Sequence, residues 1–258
     1  MRITTVQAEL AWENIDTNLA HFTKLILPLA GETDLVVLPE MFTTGFSMQP
    51  AAVAEEMTGK SMSWLRKTAA KIEAVITGSL VIKADGKYFN RLVWMRPDGT
   101  FDTYNKKHLF TLAGEHKNYE AGEEVKIIEY KGRKICPLIC YDLRFPVWSR
   151  NVSDYDLLLY VANWPATRSL HWKILLAARA VENQSYTIGV NRVGKDANDL
   201  VYAGDTSVID YAGNVLHTTR NRTTVFTVKI DFAAQDEYRS KLNFLRDRDY
   251  FAIKKSPN

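Results

Sequence analysis

The strongest constraint on this chain is a set of short, almost wholly apolar runs. Leu35-Val36-Val37-Leu38, Ile135-Cys136-Pro137-Leu138-Ile139 and Leu157-Leu158-Leu159-Tyr160-Val161 are too short for buried helices. Such a run reads as a strand covered on both faces, which requires packed layers on either side of its sheet. Helical periodicity recurs between the runs. Residues 14–27 place Ile15, Leu19, Phe22 and Ile26 at spacings of three and four, with Pro28 at the end. Further helices are expected over 61–71, over 170–181 with Leu170, Ile174, Ala177 and Val181 on one face, and over the charged tail 235–248.

Other strands are expected over 3–6, 75–82, 88–95, 100–104, 125–130, 133–140, 186–190, 206–210 and 224–230. Asp85-Gly86, Pro97-Asp98-Gly99, Lys131-Gly132 and Ala212-Gly213-Asn214 supply the turns. No linker, repeat or low-complexity tract interrupts the pattern, so residues 1–258 are expected to form a single mixed α/β domain. Many short strands with few helices suggest two packed sheets with helices outside. A chain of this length buries roughly 70–75% of its unfolded surface without staples.

Charge and cysteine content exclude several function classes. Lys and Arg number 33 against 30 Asp and Glu, a formal net charge of +3. That balance gives no electrostatic case for nucleic acid or an acidic membrane. Two cysteines cannot make a disulfide framework or an all-cysteine zinc site, and the five histidines have no ligand spacing. Cys136 and Cys140 in one strand lie roughly 13 Å apart on the same face, too far for a bond or a shared metal. No signal peptide is visible, and no apolar stretch nears the roughly 18 residues of a membrane span. The expectation is a soluble cytoplasmic protein with reduced thiols.

No G-x-S-x-G, H-E-x-x-H or G-x-G-x-x-G motif is present. Gly59-Lys60-Ser61 looks like the end of a phosphate-binding loop, but Ala54 stands where the first glycine is needed. It reads instead as a helix start, with Ser61 as cap.

Three β runs lead into reactive residues. Leu35–Pro39 ends at Glu40, Ile135–Ile139 at Cys140, and the strand through Tyr104 at Lys106-Lys107-His108. Ligand sites of open α/β sheets lie at the carboxyl ends of strands. Each residue alone has an ordinary reading: a small buried cysteine, a solvated glutamate, an edge lysine.

Context sharpens the pattern. Leu38-Pro39-Glu40-Met41-Phe42, Tyr104-Asn105-Lys106-Lys107-His108-Leu109-Phe110 and Cys140-Tyr141-Asp142-Leu143-Arg144-Phe145-Pro146 occur in this order. Together they resemble the nitrilase, or carbon–nitrogen hydrolase, superfamily. Met41-Phe42-Thr43-Thr44-Gly45-Phe46 and 140–148 resemble its bacterial omega-amidase branch. The resemblance implies a four-layer α/β/β/α sandwich of two mixed sheets flanked by helices, and a homodimer. It implies Cys140 as nucleophile, Glu40 as general base and Lys106 as third member of the triad. Lys106 rather than Lys107 fits the pattern Tyr-x-Lys-x-His-Leu-Phe. Glu115, in Gly114-Glu115-His116, matches a second glutamate near the site. Val147 departs from the Glu that follows Arg-Phe-Pro in many relatives.

The chemistry so implied is hydrolysis of the terminal amide of 2-oxo dicarboxylate monoamides through a cysteine thioester. Lys106⁺ would favour the thiolate, and Lys106 with the backbone N–H of Tyr141 would hold the oxyanion. No metal or organic cofactor is required. A 2-oxo acid amide carries a carboxylate, which nominates Arg144, Arg168 and Arg192, with Phe46 and Trp164 as pocket walls. Three alternatives stand beside this reading: a nitrilase or N-carbamoyl hydrolase with the same triad, a non-catalytic binding protein on the same fold, and a nucleotide-binding protein resting on Gly59-Lys60-Ser61.

Overall fold

The computed structural model describes residues 1–254. The chain runs β1 (Arg2–Gln7), α1 (Ile15–Ile26), β2 (Leu35–Val37), α2 (Pro50–Val53), α3 (Lys60–Ile72), β3 (Val75–Ala84), β4 (Lys87–Met95) and β5 (Phe101–Asn105). Then follow α4 (Glu115–Asn118), β6 (Ile128–Tyr130), β7 (Arg133–Ile139), α5 (Pro146–Ser149), β8 (Leu157–Ala162) and α6 (Ser169–Asn183). The remainder is β9 (Tyr186–Asn191), β10 (Val193–Lys195), β11 (Val201–Ile209), β12 (Val215–Arg220), β13 (Thr224–Lys229) and α7 (Phe232–Lys241).

These strands form two mixed sheets. One has the order β13-β1-β2-β3-β4-β5; the other runs β10-β11-β9-β8-β7-β6, with β12 beside β11. The run Leu35–Leu38 explains the layering. Leu35 and Val37 join Ile135, Leu157 and Val161 in the core between the sheets. Val36 and Leu38 point the other way, onto Leu19, Phe22 and Ile26 of α1 and Leu65, Ala69 and Ile72 of α3. Alternation sends successive side chains to two different cores, and burying each such side chain contributes about 1.5–3 kcal/mol. On the second sheet, Trp172, Leu176 and Ala180 of α6 are buried. A side chain at Gly189 of β9 would meet Trp172 and Leu176 at 2.6 Å, so glycine there lets the helix approach closely. The four-layer α/β/β/α sandwich is therefore the observed architecture.

Several local expectations are corrected. α1 is capped by Asn14, whose side chain accepts the Thr17 N–H at 3.0 Å. Ser61, by contrast, is no cap: α3 begins at Lys60, and Glu55 Oε1 takes the Ser61 N–H at 3.1 Å. The expected face of α6 is the outer one, with Leu170, Ile174 and Val181 exposed by 66%, 57% and 53%. The buried face includes Arg179 and Asn183, which hid it from hydrophobic periodicity. The tail helix covers only Phe232–Lys241, with a 3₁₀ turn at Phe244–Asp247. Strands β10 and β12 were not expected: Val193 alone is apolar in β10, and β12 has only Val215 and Leu216 at one end. Pro137 fits its strand because β6 pairs only with Arg133–Ile135, leaving one side of β7 open beyond that point.

Candidate active site

Glu40 follows β2, Lys106 follows β5, Cys140 follows β7 and Asn163 follows β8. The carboxyl ends of strands from both sheets thus converge. Cys140 has φ of +44°, and Met41, next to Glu40, has +42°. Left-handed backbone at a residue with a side chain costs about 1–3 kcal/mol. Here it turns each chain sharply out of its sheet.

Lys106 is buried between two carboxylates. Its Nζ lies 2.9 Å from Glu40 Oε1, 3.0 Å from Glu115 Oε1 and 2.9 Å from Glu115 Oε2. Asn90 Nδ2 donates to Glu40 Oε1 at 2.8 Å and lies 3.4 Å from Glu115 Oε1. The backbone N–H of Asn163 donates to Glu40 Oε2 at 2.8 Å, and that of Phe110 to Glu115 Oε2 at 2.6 Å. The Phe46 ring lies 5.1 Å from the ammonium.

Burial works against the charge of Lys106, but Glu115 and Glu40 outweigh it and raise its pKa, so the ammonium is firmly held. Glu115 is raised by burial, opposed by Lys106 and reinforced by Glu40. The Cys140 thiol is pushed well above its ordinary range by burial and Glu40, with Lys106 opposing. Lys106 favours the thiolate, as expected, but burial and Glu40 outweigh it. Burial and Glu40 thus favour the protonated thiol over the thiolate.

Asp142 locks the motif segments together. Its Oδ1 accepts the His108 N–H at 2.9 Å and lies 2.8 Å from His108 Nδ1. Its Oδ2 accepts the Tyr104 hydroxyl at 2.7 Å and the Ile139 N–H at 3.1 Å. Tyr104 and His108 flank Lys106, while Ile139 and Asp142 flank Cys140, so one buried carboxylate sets the lysine against the cysteine.

Cys140 opens into a cavity of about 70 Å³, lined also by Phe46, Tyr141, Arg144, Trp164 and Arg168. Five of the six residues expected at the substrate, Phe46, Tyr141, Arg144, Trp164 and Arg168, therefore line one pocket with the cysteine. Phe110, Asn163, Leu200 and Tyr202 complete much of the wall. The Arg144 guanidinium lies 4.7 Å from the Trp164 ring, and that of Arg168 lies 5.3 Å from the Phe110 ring. Arg192 is elsewhere: buried, it bonds the carbonyls of Leu10, Val193 and Lys195. At Gly59-Lys60-Ser61, Lys60 pairs with Asp16 and Ser61 bonds Glu55, so these side chains serve local contacts rather than a phosphate. Among the described residues, no three His, Cys, Asp or Glu side chains are grouped to hold a metal ion.

Sequence reasoning missed Asn90, Asn163, Asp142 and Tyr202. One signal pointed to Asn163: it is the first polar residue after the apolar run 157–162, the same logic that singled out Cys140.

Comparison with known proteins agrees with this geometry. The sequence profile of the carbon-nitrogen hydrolase family matches residues 2–240. The chain is 44% identical over 254 residues to omega-amidase YafV of Escherichia coli K12, covering 98% of each. It is 32% identical over 250 residues to the 2-oxoglutaramate amidase of Bacillus subtilis, covering 95% of this chain and 96% of that one. The crystal structure of XC1258 from Xanthomonas campestris, a CN-hydrolase superfamily protein with an arsenic adduct in its active site, superposes with a TM-score of 0.97. It shares 44% identity, with 98% and 99% of the two chains covered. Strand ends, buried lysine and turned-out cysteine thus sit on a fold shared along nearly the whole chain, which belongs to the carbon-nitrogen hydrolase family.

Proposed function

We propose that this chain is an omega-amidase that hydrolyses the terminal amide of 2-oxo dicarboxylate monoamides, with 2-oxoglutaramate and 2-oxosuccinamate as substrates. The observation that carries this reading is the coexistence, in one pocket, of Cys140 beside the buried Glu40–Lys106–Glu115 cluster with two arginines stacked on aromatic rings. The likeness to an omega-amidase and a 2-oxoglutaramate amidase supports it.

The chemistry follows from the hydrogen bonds. Glu40 Oε1 is occupied by Lys106 and Asn90, whereas Oε2 has one short partner, the Asn163 N–H. Oε2 therefore takes the thiol proton as Sγ attacks the amide carbon. One Lys106 proton, shared between the two Glu115 oxygens, leaves another for the oxyanion beside the Tyr141 N–H. Each such donor is worth about 2.7–4 kcal/mol of barrier. Glu40 Oε2 returns its proton to the nitrogen, the C–N bond breaks and ammonia leaves a thioester on Cys140. Water gives a proton to the same carboxylate, attacks the thioester and restores the thiol. Arg144 and Arg168 hold the substrate's carboxylate, and Phe46 and Trp164 flank its carbon chain. Glu115 fixes Lys106.

The same reading gives one catalytic domain over 1–258 and no cofactor. It places the protein in the cytoplasm, where its two unpaired cysteines stay reduced. A second copy of the chain covers the apolar stripe Leu170, Ile174 and Val181, forming a homodimer. The decisive experiment is ammonia release from 2-oxoglutaramate by wild type and Cys140→Ala, alongside a nitrile and an N-carbamoyl compound of matched size. Faster turnover of either comparator than of the amide would move the assignment to a sister activity.

A further inference from the structure

Asn163 has one polar atom without a task. Its Nδ2 donates to the Glu40 carbonyl at 2.7 Å and lies 3.5 Å from Glu40 Oε2. Because Nδ2 faces two acceptors, the orientation of the side-chain amide is set. Its Oδ1 is buried and without a hydrogen-bond partner among the described residues. The residue is only 5% exposed, yet it lines the pocket that holds Cys140. A buried acceptor left unpaired costs about 1–3 kcal/mol, and a pocket wall is where a ligand would relieve that cost.

The surroundings of the Asn163 side chain point to which ligand group this is. Glu40 Oε2 is the oxygen with room for the travelling proton, and the Asn163 side chain stands beside it. The nitrogen that receives this proton must approach Oε2, and so passes the Asn163 amide. A primary amide nitrogen carries two hydrogens. After it takes the proton from Glu40 it carries three and is positively charged. An acceptor beside it therefore gains strength as the C–N bond breaks. The bridging oxygen of an ester carries no hydrogen, and neither does a nitrile nitrogen.

We propose that Asn163 Oδ1 accepts a hydrogen bond from the NH2 group of the scissile amide and thereby selects amides over esters and nitriles of the same acid. The proposal rests on the amidase reading above and deepens it. Asn90 does not qualify for this role, although its Oδ1 is also unpartnered, because it does not line the pocket.

The test compares kcat/KM for 2-oxoglutaramate with that for the ω-methyl ester of the same 2-oxo acid. Wild type, Asn163→Ala and Asn163→Asp are assayed, with folding checked by near-ultraviolet circular dichroism. Asn163→Ala removes both Nδ2 and Oδ1. Loosening Glu40 slows both substrates, whereas loss of the acceptor slows only the amide. The amide-to-ester ratio should therefore fall about tenfold or more, the scale of one lost hydrogen bond. Asn163→Asp keeps an oxygen at the acceptor position. It should slow both substrates yet hold the ratio within about threefold of wild type. If Asn163→Ala does not fold, Asn163→Ser, whose hydroxyl is too short to reach, must show the same fall in ratio. An unchanged ratio in the folded Ala or Ser variant overturns the proposal and leaves Asn163 only holding Glu40. Failure of wild type to release ammonia from any ω-amide would instead overturn the amidase reading itself.

Discussion

Cys136 and Cys140 lie four residues apart on one run of chain, and burial raises the pKa of both thiols. Around Cys136, burial leads and Asp142 adds to it, and the side chain sits in the core at the wall of a separate cavity lined also by Trp148 and Arg150. Around Cys140, burial leads again, Glu40 and Glu115 add to it, and Lys106 opposes. The difference lies less in acidity at rest than in company. Cys140 has the Glu40 carboxylate and the held Lys106 ammonium as neighbours, on backbone turned out of the sheet. A buried thiol becomes useful when the proton has somewhere to go during attack and the new negative charge meets a cation already in place.

The contrast can be broken most directly by exchanging each cysteine. Cys140→Ala should lower amide turnover by about 10⁴-fold or more, as loss of a nucleophile does. Cys136→Ala should leave kcat within a few-fold and cost about 1 kcal/mol of stability, read by urea unfolding. Equal losses of activity would erase the distinction. Glu40→Gln keeps the shape but removes the proposed proton acceptor, and kcat should fall about 10³-fold, measured by coupled ammonia release.

Smaller effects sharpen the comparison. Burial holds the Glu115 proton to higher pH than usual, and its protonation breaks the pair with Lys106. The acid limb of kcat/KM should therefore lie above pH 4.5, the ordinary glutamate value. Glu115→Gln should remove that component and lower kcat about 10²-fold. Replacing Arg144 and Arg168 together by Ala should raise KM for 2-oxoglutaramate about tenfold or more, with kcat less affected. An unchanged KM would detach both arginines from the substrate carboxylate. Least of all, Ile174→Glu on the exposed stripe of α6 should shift sedimentation toward a monomer while kcat stays within a few-fold.

Much of this was legible in the chain itself. An apolar run with no polar face implies two cores, and Leu35–Leu38 feeds both. The rule of strand ends drew attention to Glu40, Cys140 and the stretch Lys106-Lys107-His108, and the motif context added Glu115 and separated Lys106 from Lys107. What stayed hidden depends on contact across the fold. Asn163 meets Glu40 over a separation of 123 residues, and Asn90 bonds it from the interior of β4. No spacing rule links such pairs. On α6, periodicity picked out the face of Leu170, Ile174 and Val181, which is the exposed one, and missed the face that packs inward. There the buried face carries Arg179, whose guanidinium bonds the Leu143 carbonyl beside the Cys140 turn.

Glu40 and Lys106 come from one sheet, Cys140 and Asn163 from the other. On the proposed mechanism the reacting groups therefore report on how the two layers are aligned. A slip of about one ångström between them is enough to cost roughly 10²-fold in rate, long before any strand separates. Mild hydrostatic pressure or warming should silence the enzyme while its circular dichroism is still native, and release of the stress should restore it. Activity in this molecule is a vernier for the sandwich.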